Sequence, residues 1–293
     1  MDIARSGEEL IKICEENSIS LSEYAIRREI EDRDVSREQV LSKMKKTLEV
    51  MRSGATEARE KEVYSVSGLI GGDAFKLQEY LKSGKSLTGD TMILAMAMAL
   101  SSSEVNASMG RIVACPTAGS CGILPAVILT AGEKLGKSDD ELVMALFASA
   151  AVGLIIGRNA TFAGAEGGCQ AECGSAAAMA SAAVVEIMGG TPKMSLDAAA
   201  IVFKNILGLV CDPVAGLVEI PCAKRNSSGA ISALCTADLV MAGVESKIPF
   251  DDALSAMYKV GRSLPSELRE TALGGVAVTK AGLELRKKVF GDN

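Results

Sequence analysis

The sequence predicts an all-α fold, and three observations support this prediction. Apolar residues recur at helical spacing over long stretches, and some stretches follow a serine that has Glu or Gln three residues later, as in a helix capping box. Hydrophobic residues make up 48% of the chain but aromatic residues only 3%, with no Trp, so small and aliphatic side chains must fill a compact core. No run of alternating apolar and polar residues predicts a strand.

Charged, amphipathic helices are predicted for the N-terminal segment, residues 1–62. The first covers 7–16, the second covers 21–32, and a third, long helix begins after Ser36. We expect Gly54 to break this third helix, because glycine is a poor helix former. The polar faces of these helices are typical of a packing arm or a partner-binding surface.

The remainder, residues 63–293, is predicted to form the helical core of a single domain that spans 1–293. Its apolar stretch 142–156 is shorter than the roughly 20 residues of a membrane-spanning helix, so we interpret it as a buried core helix and expect no membrane association. The core helices are predicted at 74–81, 91–107, from 123 onward, and at 138–156, 174–188, 195–207, 226–241, 250–262 and 265–273.

Composition excludes several classes of function. The formal net charge is −6, the pI is about 5.1 and no basic stripe with interleaved aromatics is present, so no nucleic-acid partner is expected. The first residues lack the apolar stretch of a signal peptide, and the eight cysteines form no regular framework, which predicts a cytoplasmic protein with reduced thiols. The chain has no histidine, so its own acid–base chemistry must use Lys, Glu, Asp, Tyr, Cys or water.

Three Gly- or Pro-rich loops carry the residues best suited to a functional site. The first, residues 163–174, holds four glycines and two cysteines, and glycine is common where a chain passes close to another group. The second, 109–122, is rich in small and hydroxyl residues and precedes a helix, so it could hold a small carboxylate or form a tight helix connection. The third, 210–222, has Cys211 and Cys222 near its ends.

Cysteine spacing alone leaves the nature of this site open. Cys169, Cys173, Cys211 and Cys222 could bind a structural zinc ion, although zinc-binding pairs are more often separated by two residues. An iron–sulfur cluster tolerates irregular spacing, and three thiolates on a four-iron cluster would leave one iron open to substrate. The third alternative is ordinary buried thiols, which is our interpretation of the two cysteines in predicted helices, at positions 14 and 235.

Part of a phosphate-loop pattern occurs at Ser83-Gly84-Lys85-Ser86. The full pattern needs a glycine where this chain has Glu79, and no predicted strand precedes it. We therefore expect no nucleotide site here.

Short motifs follow one another between about 65 and 280. They are Gly71-Gly72-Asp73-Ala74-Phe75-Lys76-Leu77, Ser83-Gly84-Lys85, Glu104-Val105-Asn106-Ala107-Ser108-Met109-Gly110, Pro116-Thr117-Ala118-Gly119-Ser120-Cys121-Gly122, Asn159-Ala160-Thr161, Gly164-Ala165-Glu166-Gly167-Gly168-Cys169-Gln170, Cys211-Asp212-Pro213-Val214-Ala215-Gly216-Leu217, and Pro221-Cys222 with Arg225-Asn226. The ordered set closely resembles the iron–sulfur-dependent L-serine dehydratase (L-serine ammonia-lyase) family, and specifically the α subunit of its two-chain form.

The resemblance implies a helical catalytic domain whose loops converge on a [4Fe–4S] cluster, with Cys169, Cys211 and Cys222 as the ligands and Cys173 unassigned. It also implies an enzyme of amino-acid degradation, which removes water from L-serine by β-elimination to give pyruvate and ammonia. The open iron would act as a Lewis acid on the serine hydroxyl group. Pyridoxal phosphate is not expected, because neither a strand-rich fold nor a lysine in a Schiff-base context is visible.

The resemblance further implies a partner and a set of substrate-binding residues. Members of the two-chain form have a β subunit with a His-containing motif, so we expect a hetero-oligomer whose general base lies on the β chain; Lys85 is the weak candidate in this chain. Arg225 could clamp the serine carboxylate or form a structural ion pair, and both interpretations stay open. The candidates for binding L-serine are Thr117, Ala118, Gly119, Ser120, Ser108, Asn159 and Arg225.

The chain departs from the family pattern beside the first loop. Arg158 stands where the family commonly has a lysine, which could act as a base as arginine cannot, and Ala163 replaces a serine. The chain ends Gly291-Asp292-Asn293, without the terminal cysteine of single-chain relatives, which agrees with the two-chain form.

Two other functions stay open: an L-cysteine desulfidase on the same scaffold, and a non-enzymatic iron–sulfur or zinc module.

Overall fold

A computed structural model describes residues 2–291, and these residues form an all-α fold, which confirms the prediction. Within this range, the isolated bridges between Tyr64 and Gly71 and between Cys211 and Arg269 are the only β-type pairings. The helices are α1 (Gly7–Glu16), α2 (Leu21–Arg33), α3 (Arg37–Glu60), α4 (Asp73–Lys82), α5 (Asp90–Ala107), α6 (Ile123–Leu135), α7 (Asp139–Asn159), α8 (Gly164–Gly167), α9 (Ser175–Ile187), α10 (Pro192–Ile206), α11 (Cys222–Met241), α12 (Phe250–Ser263) and α13 (Lys280–Phe290).

Helix α9 lies at the centre of the fold. Every residue from Ser175 to Val185 is buried, and the helix packs against α6, α7, α10 and α11. Its sequence is mostly Ala and Ser, so neighbouring backbones approach closely on several sides. A core with few aromatic residues can therefore be densely packed, as protein interiors require.

Helix α7 is the one helix in the described range that is long and apolar enough to cross a membrane, judged by length and composition. It packs against α2 and α9, and 67% of its most apolar stretch is buried inside the protein. The prediction of a buried core helix over 142–156 is therefore confirmed. Leu154, which is 58% exposed, lies on its outer face.

Carboxylates from core helices cap the first two helices. Asp251 of α12 accepts hydrogen bonds from the backbone of Gly7 at 2.7 Å and of Glu8 at 3.0 Å, and Glu186 of α9 accepts one from the backbone of Leu21 at 2.8 Å. Negative charge is favourable at a helix N-terminus, where backbone amides have no partner within the helix. These contacts fix α1 and α2 on the core, while the division into an arm and a core at residue 62 stays a prediction.

The prediction that Gly54 breaks the third helix is wrong, because α3 continues through it. The Gly54 carbonyl accepts a hydrogen bond from Ser101 Oγ at 2.7 Å, and a Cβ atom at this position would lie 3.4 Å from Ile112. The Ser101 bond joins α3 to α5 at this position. Tertiary packing therefore outweighs its low helix propensity.

The prediction of a helix over 265–273 is also wrong. Glu270 and Ala272 have φ of 64° and 57°, which no α-helix accommodates, and Ser266–Leu268 forms only a short 3₁₀ turn. The last helix is instead α13, which the sequence analysis did not predict.

Glu104 caps α4 from within the core. Its Oε1 accepts hydrogen bonds from the backbone of Asp73 at 2.7 Å and of Ala74 at 3.3 Å, while its buried Oε2 has no partner among the described residues. The residue is only 1% exposed, and burial raises the pKa of its carboxyl group to about 7.

This raised pKa predicts a pH-dependent contribution to stability. A carboxyl group whose pKa is higher in the folded state stabilises the fold fully below its unfolded pKa, and this stabilisation is lost as the pH rises through about 7. In Glu104→Gln this ionisation is absent, so the free energy of unfolding of the wild type should fall by up to about 3 kcal/mol more than that of the variant between about pH 4.5 and pH 8. Urea denaturation at both pH values measures the difference. The exposed control Glu284→Gln should show the same pH dependence of the free energy of unfolding as the wild type. If Glu104→Gln shows that dependence too, the raised pKa is wrongly assigned to Glu104.

Candidate metal centre

The segment that carries Cys169 is largely helical and not the irregular loop that its composition predicts. Gly164–Gly167 forms α8, and Gln170–Gly174 forms a π-helical turn that leads into α9. Gly168 has φ of 74° between the two, and a Cβ atom there would lie 2.8 Å from the carbonyl oxygen of Leu209. π-Helical turns are frequent at functional sites.

Gln170 fixes this segment to the rest of the fold. Its buried side-chain nitrogen donates to the carbonyl oxygens of Gly167 at 3.0 Å and Met257 at 3.1 Å, and its side-chain oxygen accepts from the backbone of Gly208 at 2.9 Å. One side chain thus connects α8, α12 and the turn after α10. Because the two bonds from its nitrogen are buried, loss of the amide would leave unpaired carbonyl groups in the interior.

Four buried thiols lie together at the beginning of α9. The Sγ atoms of Cys169 and Cys173 are 3.5 Å apart, and the thiol of Cys211, which faces Glu172 Oε2 at 3.9 Å, lies close enough to Cys169 to affect its pKa. Cys222 is the first residue of α11, not part of the preceding loop, and it lies close enough for the charge of Cys169 to affect its pKa. The three cysteines of the expected cluster are thus in one place; their role as ligands stays a prediction.

The remaining cysteines have other surroundings. Cys14 is buried as interpreted, but Cys235 is exposed on α11, so the interpretation of Cys235 as a buried apolar group is wrong. Cys115 and Cys121 are buried, and their thiols face backbone carbonyl oxygens at 3.7 Å.

The surroundings favour a thiolate at Cys169. Hydrogen bonds from the thiols of Cys173 and Cys211, together with the guanidinium group of Arg225, hold the pKa of Cys169 well below its usual range. The pKa of Cys222 is raised to about 12, first by burial and then by the charge of Cys169. Since thiolates are the ligand form, metal binding here requires that protons leave the other thiols.

Arg225 forms the structural ion pair that the sequence analysis left open. Its Nη1 donates to the carbonyl oxygen of Val210 and its Nη2 donates to Oδ1 of Asp212, both at 2.8 Å. Asp212 is 2% exposed, and its Oδ2 accepts from the backbone of Val276 at 2.7 Å. The guanidinium group is therefore held beside Cys169, and its role as a carboxylate clamp stays a prediction.

The turn formed by residues 117–120 lies against Glu172, beside the thiols. The backbone of Gly119 faces Glu172, because a Cβ atom at Gly119 would lie 3.2 Å from Glu172 Oε1. Asn226 of α11 holds the turn: its Nδ2 donates to the Gly119 carbonyl at 2.7 Å, and its Oδ1 accepts from the Gly122 backbone at 2.9 Å. The predicted residues Thr117, Ala118, Gly119 and Ser120 thus flank the site, although Ser120 is fully buried.

Three other candidate residues are not brought to the thiols. Asn159 donates to two backbone carbonyl oxygens, and the hydroxyl group of Ser108, just after α5, donates to the Val105 carbonyl oxygen at 2.9 Å. Lys85 lies in the exposed turn between α4 and α5. Within residues 2–291, no hydrogen bond or ion pair connects these three side chains with the four thiols, and their proposed roles stay untested predictions.

Two glutamates that the sequence analysis did not select face the site. Oxygen atoms of Glu172 and Glu270 and the Sγ atom of Cys211 lie within 4.8 Å of one another. Burial, and then the charge of Cys169, raises the pKa of Glu172 to about 7. Gly164 leaves room for this group, since a Cβ atom there would lie 2.7 Å from Glu172 Oε2 and 3.2 Å from Cys211 Sγ. Glu172 lies three residues after Cys169, a helical spacing from which its place beside the thiol could have been predicted. Nothing in the sequence pointed to Glu270.

These residues suit a metal group with thiolate ligands. Four thiols are soft donors of the kind that bind iron–sulfur clusters or zinc. Gly119 and Gly164 keep side-chain volume away from the adjoining carboxylates, and the exposed Glu270 shows that one side of the group reaches the surface. Fold and site together define an all-α protein with a thiol-rich candidate metal site next to polar residues.

The chain belongs to the serine dehydratase alpha chain family, whose sequence model matches residues 16–277. It is 48% identical to the probable L-serine dehydratase, alpha chain, of Bacillus subtilis, over 98% of this chain and 95% of that protein. It is also 48% identical to the L-serine dehydratase, alpha chain, of Peptoniphilus asaccharolyticus, over 96% and 97%. A longer relative, the L-serine dehydratase of Streptomyces coelicolor, is 35% identical over 94% of this chain but only 60% of its own length.

The buried pair of Arg225 and Asp212 predicts a large loss of stability in Arg225→Leu. The carboxylate of Asp212 would stay buried without its counter-ion, which costs about 3–5 kcal/mol in the free energy of unfolding measured with urea. Arg225→Leu combined with Asp212→Asn should recover part of this loss, because the uncompensated charge is gone. Equal stability of the wild type and Arg225→Leu would contradict the assignment.

Proposed function

We propose that this chain is the α subunit of an iron–sulfur-dependent L-serine dehydratase, which converts L-serine to pyruvate and ammonia. The observation that carries the proposal is the meeting of Cys169, Cys211 and Cys222, which are far apart in sequence, in a chain of this family. The names of the relatives from Bacillus subtilis and Peptoniphilus asaccharolyticus support the same activity.

In this proposal Cys169, Cys211 and Cys222 hold a [4Fe–4S] cluster. When bound, the cluster supplies a Lewis acid for the serine hydroxyl group, which is otherwise a poor leaving group. After the neighbouring thiols Cys173 and Cys211, the charge of Arg225 also lowers the pKa of Cys169. Cys173 packs beside Cys169 as a buried neighbour.

The polar residues around the thiols orient the substrate. Thr117 and the backbone of the 117–120 turn supply hydroxyl and amide groups that can bind a carboxylate. Glu172, which this turn faces, and Glu270 have carboxyl groups that suit the ammonium group of an amino acid.

We propose that a β subunit supplies the general base, so that the enzyme is a hetero-oligomer. This chain has no histidine, and two relatives are named alpha chain. The Streptomyces coelicolor relative extends well beyond the region that this chain matches.

A cytoplasmic location is also proposed, since all eight cysteines are free thiols.

Cys169→Ser tests the proposed ligand. After anaerobic co-expression with the β chain, this variant should lose serine turnover and the broad visible absorbance of an iron–sulfur cluster, because a hydroxyl group is a poor replacement for a thiolate ligand. Cys235→Ser, an exposed cysteine on α11, is the matched control and should keep both. Full absorbance and turnover in Cys169→Ser would contradict the assignment.

The chain by itself should bind the cluster without completing the reaction. Reconstitution with iron and sulfide should give cluster absorbance, while kcat for serine should be at least about 100-fold below that of the αβ complex, since a positioned general base contributes 10²–10⁴-fold. Pyruvate formation at the same cluster content is the measurement. Equal turnover with and without the β chain would show that the base lies in this chain.

A further inference from the structure

A groove of about 530 Å³ lies between α13, the end of α5 and the connection from Cys211 to Cys222. We call it the α13 groove. Three apolar side chains on it are largely exposed: Val66 at 76%, Met109 at 84% and Phe290 at 53%. Its other lining residues include Asn106, Leu217 and Val218. Exposed apolar residues that cluster in this way are typical of protein–protein contact surfaces.

The α13 groove is linked to the candidate metal centre by a hydrogen bond and by the chain between Cys211 and Cys222. Asn106, on its wall, donates from Nδ2 to the carbonyl oxygen of Ala118 at 3.3 Å, and Ala118 belongs to the turn beside the thiols. Leu217 and Val218 lie in the connection between two of the clustered cysteines. Ser67 donates to Glu219 at 2.7 Å, which fixes this connection to the segment that holds Val66. A protein bound in the groove would therefore lie next to the site.

We propose that the α13 groove is the docking surface for the β subunit, an inference that rests on the proposed function. The Streptomyces coelicolor relative has about two fifths of its length outside the region matched by this chain, which is room for a further unit within that protein. A partner that supplies the missing base must reach the thiols, and the groove is an exposed apolar surface whose wall includes part of the connection between Cys211 and Cys222.

A second apolar groove, of about 520 Å³, is the competing surface. It lies between α2, α3 and α7, within the segment whose polar faces also suited a partner. Its lining residues Ala25, Phe147 and Met179 are already buried, and Leu154 is the largely exposed apolar residue on it. The competing groove thus has one largely exposed apolar residue where the α13 groove has three.

The test compares one variant in each groove within the αβ complex. Val66→Asp/Met109→Asp should weaken β binding, measured anaerobically by titration calorimetry, by about 10-fold or more, since it places two charges in an apolar interface. The cluster absorbance of the variant should be unchanged, and excess β chain should restore turnover. Leu154→Asp, the control in the competing groove, should bind the β chain like the wild type.

Hydrogen exchange of the unmodified protein provides a second measurement that does not depend on how the variants fold. Addition of the β chain should slow exchange in residues 63–72, 105–111 and 284–290. Slowed exchange in α2 and α7 instead, or weaker binding in Leu154→Asp alone, would overturn the proposal. So would a dimer of this chain alone that the double variant dissociates, because the groove would then bind a second copy.

The outcomes also separate this inference from the proposed function. A complex that protects the groove but does not dehydrate serine would leave the docking surface in place and contradict the proposed activity. Unchanged β binding and turnover in the double variant would contradict the docking surface alone. Failure of the two chains to associate at all would contradict both.

Discussion

The geometry of the candidate metal centre depends on one buried amide, that of Gln170. Its hydrogen bonds join α8, α12 and the turn after α10, so the residue before it, Cys169, has a fixed position against the segment that carries Cys211. The site is assembled from pieces distant in sequence, and a satisfied polar side chain specifies their arrangement more narrowly than apolar contacts could. The ion pair of Arg225 and Asp212 does the same for α11 and the Cys211 segment.

Much of the fold follows from local sequence signals. Serines at the helix starts accept backbone hydrogen bonds as their patterns predicted, for example Ser6 before α1 and Ser36 before α3. The errors occurred where a distant contact decides the local structure. Gly54 stays helical because α5 packs against it, and the segment around Glu270 is irregular because its backbone pairs with Cys211. Neither partner can be identified from the neighbouring residues.

The sequence predicted part of the candidate site, as it predicted part of the fold. The order of the motifs singled out the three cysteines and the 117–120 turn, which spacing alone left ambiguous. Glu172 and Glu270 were missed because their significance arises only when the fold brings them within 4.8 Å of Cys211. Ser108 and Asn159 lie in motifs as well, but their side chains serve nearby backbone carbonyl oxygens. Membership of a motif thus identifies a region more reliably than it identifies which side chain faces the substrate.

The composition of α9 has a consequence for how this protein can change over generations. Most residues of this central helix are Ala or Ser, so almost any random replacement there adds volume to a space that is already full. In most proteins, a core mutation destabilises the fold by removing atoms and leaving a cavity. In this helix, a replacement destabilises the fold mainly by adding atoms to a space that is already filled. Mutational tolerance should therefore be concentrated on the outer helices, while the centre drifts only among the smallest residues.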